Sequence, residues 1–368
     1  MIPYGKQTMD QADIKAVIEV LRSNCIAQGP KVKEFEQSLA KYTGAKYAVV
    51  CNNGTAGLLL SYLTLGLKPG DEVITTPNTF ASTCNMLVFI GVKPVFVDIR
   101  LDTYNIDEKK IVQAITKKTK AIVPVHFAGQ ACEMDKIKKI AVKYKLAVVE
   151  DACHALGARF KNSKIGNCRY SDMAIFAFHP VKPITTGEGG AILTNNEKYY
   201  QRLALLRNHG IYKDNRGKNV MVELGLNLRL TDIQAALGVS QLKKLDGFIK
   251  QRRRIVEWYR QELKNLKEII MPTELASNYS GWHIYIIRVA KPELRDKLKQ
   301  YLEDNGVGVN FHYPAVYSHP YYQKLGLGKK LANEEVYQNS CITLPCFPAL
   351  TIKEVKYISE LIRKFFNK

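Results

Sequence analysis

The sequence lacks long apolar runs, paired cysteine motifs and internal repeats. Its eight cysteines are scattered along 368 residues without a CxxC pair, so we predict reduced thiols and no metal site. No uncharged apolar stretch approaches the roughly 20 residues that a membrane span requires, and the first residues have no apolar export core. We therefore expect a soluble, cytoplasmic protein without a membrane partner.

Acidic residues are also in short supply. The chain has 34 Asp and Glu residues against 54 Lys and Arg residues, a formal net charge of +20. Such a charge is compatible with a nucleic-acid partner, an anionic small-molecule ligand or solubility alone. The basic residues occur in short, dispersed groups, without a zinc finger, an RNA-recognition signature or a terminal basic arm. We favour the last two explanations and expect no nucleic-acid partner.

Short apolar runs alternate with helical patterns from residue 47 to residue 152. This alternation is typical of βαβ units and predicts an α/β fold with a mostly parallel central sheet and helices on both faces. In this part of the chain, residues 107–116 are predicted to be helical. After residue 245, a strand, helix, strand, helix order predicts a smaller α+β domain, whose second strand falls within 306–317. The predicted division is a large domain over 1–245 and a small domain over 246–368.

The segment IFAFHPVKPITTGEGGAIL, residues 175–193, places one lysine in an unusual setting. It predicts two buried strands joined by a stiff loop rich in proline and glycine, with Lys182 on that loop. A loop lysine more often reaches solvent. Partial removal from water disfavours the ammonium form, however, and leaves a neutral amine that attacks a carbonyl. Lys182 is therefore a candidate for a Schiff base.

Other candidate residues follow predicted strands at their carboxyl ends, where ligands collect in parallel sheets. Gly54 and Thr55 open a helix whose first amides suit a phosphate, whereas Phe80 and Asp151 follow later strands. Each has a common structural explanation, such as core packing for Phe80 or a helix N-cap for Asp151. Together with Lys182 they match pyridoxal 5'-phosphate, whose phosphate, aldehyde, ring and pyridine nitrogen need these four kinds of group.

The motifs PVHFAGQ, VEDACHALGA, FHPVKPITTGEGG and LGLNLRLTDIQAALG resemble those of the DegT/DnrJ/EryC/StrS sugar aminotransferases, which are fold-type I pyridoxal phosphate enzymes. The resemblance covers nearly the whole chain. FHPVKPITTGEGG is most similar to the members that aminate C4 of a UDP-linked 4-keto-6-deoxy N-acetylamino sugar in pseudaminic acid biosynthesis. The resemblance thus implies a transaminase that takes its amino group from L-glutamate and releases 2-oxoglutarate.

The resemblance also implies roles for individual residues. Lys182 matches the Schiff-base lysine and Asp151 the partner of the pyridine nitrogen, while His154 matches a position beside the ring and its 3-hydroxyl. Phe80 falls where the family stacks an aromatic ring on the cofactor. The cofactor phosphate is expected on Gly54, Thr55 and Ala56. Further matches to the sugar-nucleotide pocket are Tyr4, Gln28, His179, Tyr313 and Tyr317.

Two positions carry further consequences of the resemblance. Asn227 falls where a neighbouring subunit reaches the same phosphate, which implies a homodimer with shared active sites. Ala177 stands where the family commonly has a serine whose hydroxyl helps to hold the phosphate. A hydrogen bond to a charged group is typically worth about 1.5–3 kcal/mol, so we expect weaker cofactor binding unless water or Thr55 replaces that hydroxyl.

Two alternatives remain at this point. The first is an aminotransferase of the same family that acts on another nucleotide-linked keto sugar, of the bacillosamine or legionaminic acid type. The second is a non-catalytic regulator that binds pyridoxal phosphate. Lys182 argues against the related dehydratases, which carry a histidine at this position.

Overall fold

The structure, a computed structural model, describes residues 1–367. The helices of this part are α1 (Gln11–Leu21), α2 (Pro30–Thr43), α3 (Gly54–Thr64), α4 (Ser82–Phe89), α5 (Met134–Tyr144), α6 (Glu197–Arg207), α7 (Asp232–Leu263), α8 (Arg295–Asp304), α9 (Pro320–Lys324), α10 (Ala332–Gln338) and α11 (Ile352–Phe366). Within residues 1–367 no helix combines the length and the apolar character needed to cross a membrane.

The strands of the main sheet are β1 (Tyr47–Cys51), β2 (Glu72–Thr75), β3 (Lys93–Phe96), β4 (Thr119–Ile122), β5 (Ala147–Asp151), β8 (Met173–Ala177) and β9 (Gly190–Thr194). Between and after them come β6 (Arg159–Phe160), β7 (Ser163–Lys164), β10 (Ile211–Lys213), β11 (Asn219–Met221), β12 (Ile269–Ile270), β13 (Asn278–Tyr279), β14 (Tyr285–Val289) and β15 (Cys341–Leu344).

The main sheet has the order β1-β9-β8-β5-β4-β2-β3. β9 runs antiparallel to both of its neighbours, and the other described pairs in this sheet are parallel. One apolar cluster joins a sheet face to α2, α5 and the first half of α7, and a second joins the opposite face to α3, α4 and α6. The predicted α/β fold with a mostly parallel, doubly covered sheet is confirmed.

The C-terminal part packs around its own three-stranded sheet, in the order β12-β14-β15. Its core includes residues of α8, α11 and the second half of α7. α7 is one continuous helix across residue 245, with Leu245 in the large core and Tyr259 in the small one. The division at residue 245 stays a prediction, but the helix that crosses it belongs to both cores.

Two local predictions were wrong. Residues 107–116 form two short 3-10 segments, Glu108–Lys110 and Val112–Ala114, instead of an α-helix. This segment is rich in β-branched residues, which lose side-chain freedom in a helix. Residues 306–317 form no named strand, because the edge next to β14 is taken by β15.

Candidate active site

A cavity of about 570 Å³ opens at the carboxyl ends of the parallel strands. The turns after β1, β2, β5 and β8 form much of its wall, together with the N-terminal arm and residues 310–313. The predicted site residues that line it are Tyr4, Gly54, Thr55, Phe80, Asp151, His154, His179, Lys182 and Tyr313. The fold therefore brings most of the predicted site together at one edge of the sheet.

Two predicted substrate contacts lie outside this cavity lining. Tyr317 is only 1% exposed and donates its hydroxyl hydrogen bond to Glu335 Oε1 at 2.9 Å. Gln28 donates from Nε2 to the carbonyl of Leu230 at 2.6 Å. The structure thus does not bring Tyr317 to the site, because core packing and the carboxylate of α10 hold it elsewhere.

The phosphate turn is built around the N-terminus of α3. Asn53 caps the helix, and its Oδ1 accepts a hydrogen bond from the amide of Ala56 at 2.8 Å. The Ala56 amide is therefore already hydrogen-bonded within the chain, and Ala56 does not line the cavity. The amides of Gly54 and Thr55 precede any intrahelical acceptor and lie at the positive end of the helix dipole. These two amides, rather than that of Ala56, suit a phosphate.

Close backbone approaches explain the glycines at this turn. A Cβ atom on Gly190 would lie 2.4 Å from the carbonyl oxygen of Asn53, and one on Gly54 would lie 2.8 Å from Cβ of Ala177. Ala177 itself lines the cavity. The absence of a hydroxyl at residue 177 therefore directly affects the surroundings of the phosphate turn.

Lys182 lies on the loop between β8 and β9. This loop folds back on itself, with Thr185 Oγ1 donating to the carbonyl of Phe178 at 3.0 Å. Burial lowers the pKa of the Lys182 ammonium, and the nearby Cys153 and Asp151 side chains act in the opposite direction. A lysine with a lowered pKa reaches the neutral, nucleophilic form more readily than an ordinary surface lysine.

Asp151 ends β5 and is 5% exposed. Its Oδ2 accepts a hydrogen bond from Thr83 Oγ1 at 2.7 Å, and its Oδ1 accepts one from the amide of Cys153 at 3.2 Å. The Thr79 hydroxyl lies 2.8 Å from that of Thr83. Since Thr83 donates to the carboxylate, the Thr79 hydroxyl is the donor in this second bond. The hydroxyl of Thr83 in α4, supported by that of Thr79 in the preceding turn, thus holds the carboxylate at the end of β5.

His154 is held in one tautomer by its contacts. Its Nδ1 accepts a hydrogen bond from the amide of Ala128 at 3.3 Å, while Nε2 lies 3.1 Å from the hydroxyl of Tyr313. Burial and the positive charge of Lys182 keep the pKa of His154 well below its usual value. The neutral ring therefore carries its proton on Nε2 and donates it toward Tyr313.

The sequence did not identify two further histidines in the cavity wall, His283 and His312. Burial lowers the pKa of His283 well below its usual value and that of His312 to about 3. The rings of His154 and His283 lie 4.5 Å apart. Both lie far from His154 in the sequence, in the C-terminal part of the chain, and nothing in their local pattern indicates that they meet it.

These residues fit pyridoxal 5'-phosphate. The N-terminus of α3 suits the phosphate, and Lys182 supplies an amine of lowered pKa. Asp151 supplies a carboxylate held by two hydrogen bonds, and Phe80 presents a ring that is 61% exposed. Within residues 1–367 no group of three or more His, Cys, Asp or Glu side chains is arranged to hold a metal ion.

Comparisons with known proteins identify the family of this chain. The DegT/DnrJ/EryC1/StrS aminotransferase family matches residues 7–363. The UDP-4-amino-4,6-dideoxy-N-acetyl-beta-L-altrosamine transaminase of Campylobacter jejuni is 39% identical, over 100% of this chain and 98% of the relative.

Solved structures extend the comparison. Helicobacter pylori PseC, an aminotransferase involved in the biosynthesis of pseudoaminic acid, has a TM-score of 0.95 at 33% identity, covering 100% of this chain and 99% of that one. Bacillus subtilis NtdA with bound cofactor PMP has a TM-score of 0.89 at 30% identity, covering 98% and 83%. The chain belongs to the DegT/DnrJ/EryC1/StrS family and is an aminotransferase that depends on pyridoxal 5'-phosphate.

Proposed function

We propose that this aminotransferase moves an amino group from L-glutamate to C4 of a UDP-linked 4-keto-6-deoxy N-acetylamino sugar, as in pseudaminic acid biosynthesis. The observation that carries the proposal is the convergence of Lys182 and Asp151 on one cavity. The sugar is inferred from the 39% identity to the altrosamine transaminase of Campylobacter jejuni and from the likeness to PseC.

Each proposed residue has a separate task. Pyridoxal phosphate supplies the carbonyl that stores the amino group and the ring that accepts electrons. Lys182 would take the proton from the donor carbon and deliver it to C4' of the bound cofactor, because its lowered pKa allows it to act as base and then as acid. Asp151 keeps the pyridine nitrogen protonated. Gly54 and Thr55 hold the phosphate, and His154 and Tyr313 orient the groups beside the ring.

We further propose a homodimer in the cytoplasm, with two shared active sites. Asn227 is exposed and lies outside the cavity of its own chain. The neighbouring Leu224 is 79% exposed, and Met221 and Val222 on the same segment are exposed as well. Exposed apolar side chains of this size are typical of an interface. A second copy that covers this segment would place Asn227 at the partner's phosphate turn.

The proposed reaction is tested by absorption spectroscopy of the purified protein loaded with pyridoxal phosphate. We expect L-glutamate to remove the visible absorption of the bound cofactor and a UDP-linked 4-keto sugar to restore it. Lys182→Ala should remain folded but lose turnover, whereas the exposed Lys198→Ala serves as the matched control. Wild-type turnover by Lys182→Ala would refute the assignment of this lysine.

Two alternatives give different results in the same experiment. An aminotransferase for a bacillosamine or legionaminic acid precursor would respond to glutamate but would restore the absorption only with the D-configured 4-keto sugar. A non-catalytic regulator would bind pyridoxal phosphate without any response to glutamate. A panel of nucleotide-linked keto sugars therefore separates the candidates by which sugar restores the absorption.

A further inference from the structure

The edge of the main sheet opposite the cavity carries a row of lysines. They lie where four adjacent parallel strands begin, in the spatial order β5-β4-β2-β3. We name them the basal lysine row, and they are Lys143 and Lys145 before β5, Lys117, Lys118 and Lys120 at β4, Lys68 before β2 and Lys93 at β3. Neighbouring strands lie about 4.8 Å apart, so the row extends over roughly 15 Å.

Few carboxylates offset this row. Among residues 1–367, the pair between Lys93 and Glu72 at 3.5 Å is the only ion pair that includes a row member. Glu72 is mostly buried and also accepts a hydrogen bond from the hydroxyl of Thr116. The nearby Asp71 is equally buried and accepts the amide of Lys68 at 3.0 Å. The charge of the row is therefore presented to solvent almost unneutralised.

Two exposed apolar side chains accompany the lysines. Phe89 ends α4, shortly before β3, and is 72% exposed, whereas Val142 lies in the last turn of α5, shortly before β5, and is 66% exposed. Lysines near helix C-termini also complement the helix dipole. That role does not explain the exposed Phe89 and Val142, nor the three lysines at β4, which follow a short 3-10 segment.

We propose that the basal lysine row is a docking surface for an anionic phospholipid membrane. Lysine clusters are attracted to anionic headgroups, and exposed aromatic and aliphatic side chains insert at the boundary with the acyl chains. All seven row members are lysines, whereas arginine is preferred for bidentate recognition of nucleic acid. The cavity lies at the opposite ends of the same strands and stays open to solvent when this edge is docked.

This surface revises our expectation that the chain has no membrane partner, and it leaves the expectation of no membrane span unchanged. It also gives part of the net charge of +20 a physical role. The inference does not depend on which sugar the enzyme aminates, because the row and the cavity occupy opposite edges of the sheet.

The test is sedimentation of the holoenzyme with vesicles of phosphatidylcholine alone or mixed equally with phosphatidylglycerol. We expect binding to the anionic vesicles alone, weakened by salt. The row variant replaces five lysines with Gln, namely Lys117, Lys118, Lys120, Lys143 and Lys145. It should bind the anionic vesicles at least roughly 100-fold more weakly than wild type. Phe89→Ser should weaken binding about fivefold or more.

A matched control removes the same charge from exposed lysines of the small domain by replacing Lys264, Lys267, Lys297, Lys353 and Lys356 with Gln. It should retain nearly all binding. Equal losses in the row and control variants would mean that net charge alone acts, and would overturn the proposal. Equal binding to neutral vesicles, or binding to duplex DNA without binding to vesicles, would overturn it as well. Unchanged absorption of the bound cofactor shows that each variant is folded.

Discussion

The Thr83 hydroxyl is expected to affect the transamination rate strongly, because it donates a hydrogen bond to the buried carboxylate of Asp151. Thr83→Val keeps the shape but removes the donor to Asp151 Oδ2. A hydrogen bond to a charged group is worth about 1.5–3 kcal/mol, so we expect a roughly tenfold or greater loss of transamination rate. Single-turnover rates with glutamate measure this loss.

The control for this prediction is Thr83→Ser, which keeps the hydroxyl and should retain most of the rate. Cofactor affinity, measured by titration of the apoenzyme, should change less than the rate in Thr83→Val, because the phosphate turn is untouched. A rate equal to wild type in the valine variant would show that Thr83 does not position Asp151.

Glu334 is a buried carboxyl group without any hydrogen-bond partner for its oxygens in residues 1–367. Burial and the negative charges of Asp98 and Glu335 raise its pKa well above the usual value. Above about pH 4.5 the unfolded chain releases this proton while the folded chain retains it, so stability falls as pH rises. Glu334→Gln has no proton to lose and therefore removes this fall in stability with rising pH.

We therefore expect the melting temperature of Glu334→Gln, relative to wild type, to increase between pH 5 and pH 8 by calorimetry. The exposed Glu293→Gln is the control and should show no such pH-dependent gain. A constant difference between Glu334→Gln and wild type across this pH range would contradict the raised pKa.

At the scale of elements, the N-terminus of α3 links stability to cofactor binding. Asn53→Ala removes the cap of the Ala56 amide, and the loss of such a cap costs about 1 kcal/mol. We expect both a lower melting temperature of the apoenzyme and weaker binding of pyridoxal phosphate. The two measurements are thermal unfolding and a spectroscopic titration with the cofactor.

Asn53→Asp separates these two effects. Aspartate caps a helix as well as asparagine does, so stability should be retained. Its negative charge repels the cofactor phosphate, and affinity should still fall. If Asn53→Asp bound pyridoxal phosphate as tightly as wild type, the phosphate would not lie at this turn.

Elements also show where local pattern is a sufficient guide. The apolar run of β1 and the glycine turn into α3 are local features, and both were predicted at the right place. Residues 107–116 were predicted as an α-helix although their β-branched residues disfavour one. The strand β15 was missed because its pairing with β14, a distant segment, decides it. β15 pairs antiparallel with β14, in a register that runs from Tyr285 opposite Leu344 to Arg288 opposite Cys341.

At the scale of the whole molecule, the proposed dimer predicts that cofactor binding and assembly are coupled. Leu224→Glu places a charge on the exposed segment next to Asn227. We expect this variant to be monomeric in analytical ultracentrifugation and to bind pyridoxal phosphate more weakly than wild type, because Asn227 no longer reaches a partner's site.

Tyr321→Glu is the matched control, because Tyr321 is a comparably exposed apolar residue on α9 of the small domain. It should leave both the assembly and the affinity unchanged. A wild-type protein that stays monomeric at high concentration while binding the cofactor fully would refute the shared site.

The sequence by itself determined the alternation of strands and helices and the loop that holds Lys182. It also determined the position of Asp151 at a strand end, because these features depend on residues close together in the chain. The tertiary structure alone decided which distant residues surround them. Thr83 contacts Asp151 although the two are 68 positions apart in the chain, and Tyr317 is buried away from the cavity. The basal lysine row exists only because the order of the sheet places separate chain segments side by side, which no local pattern encodes.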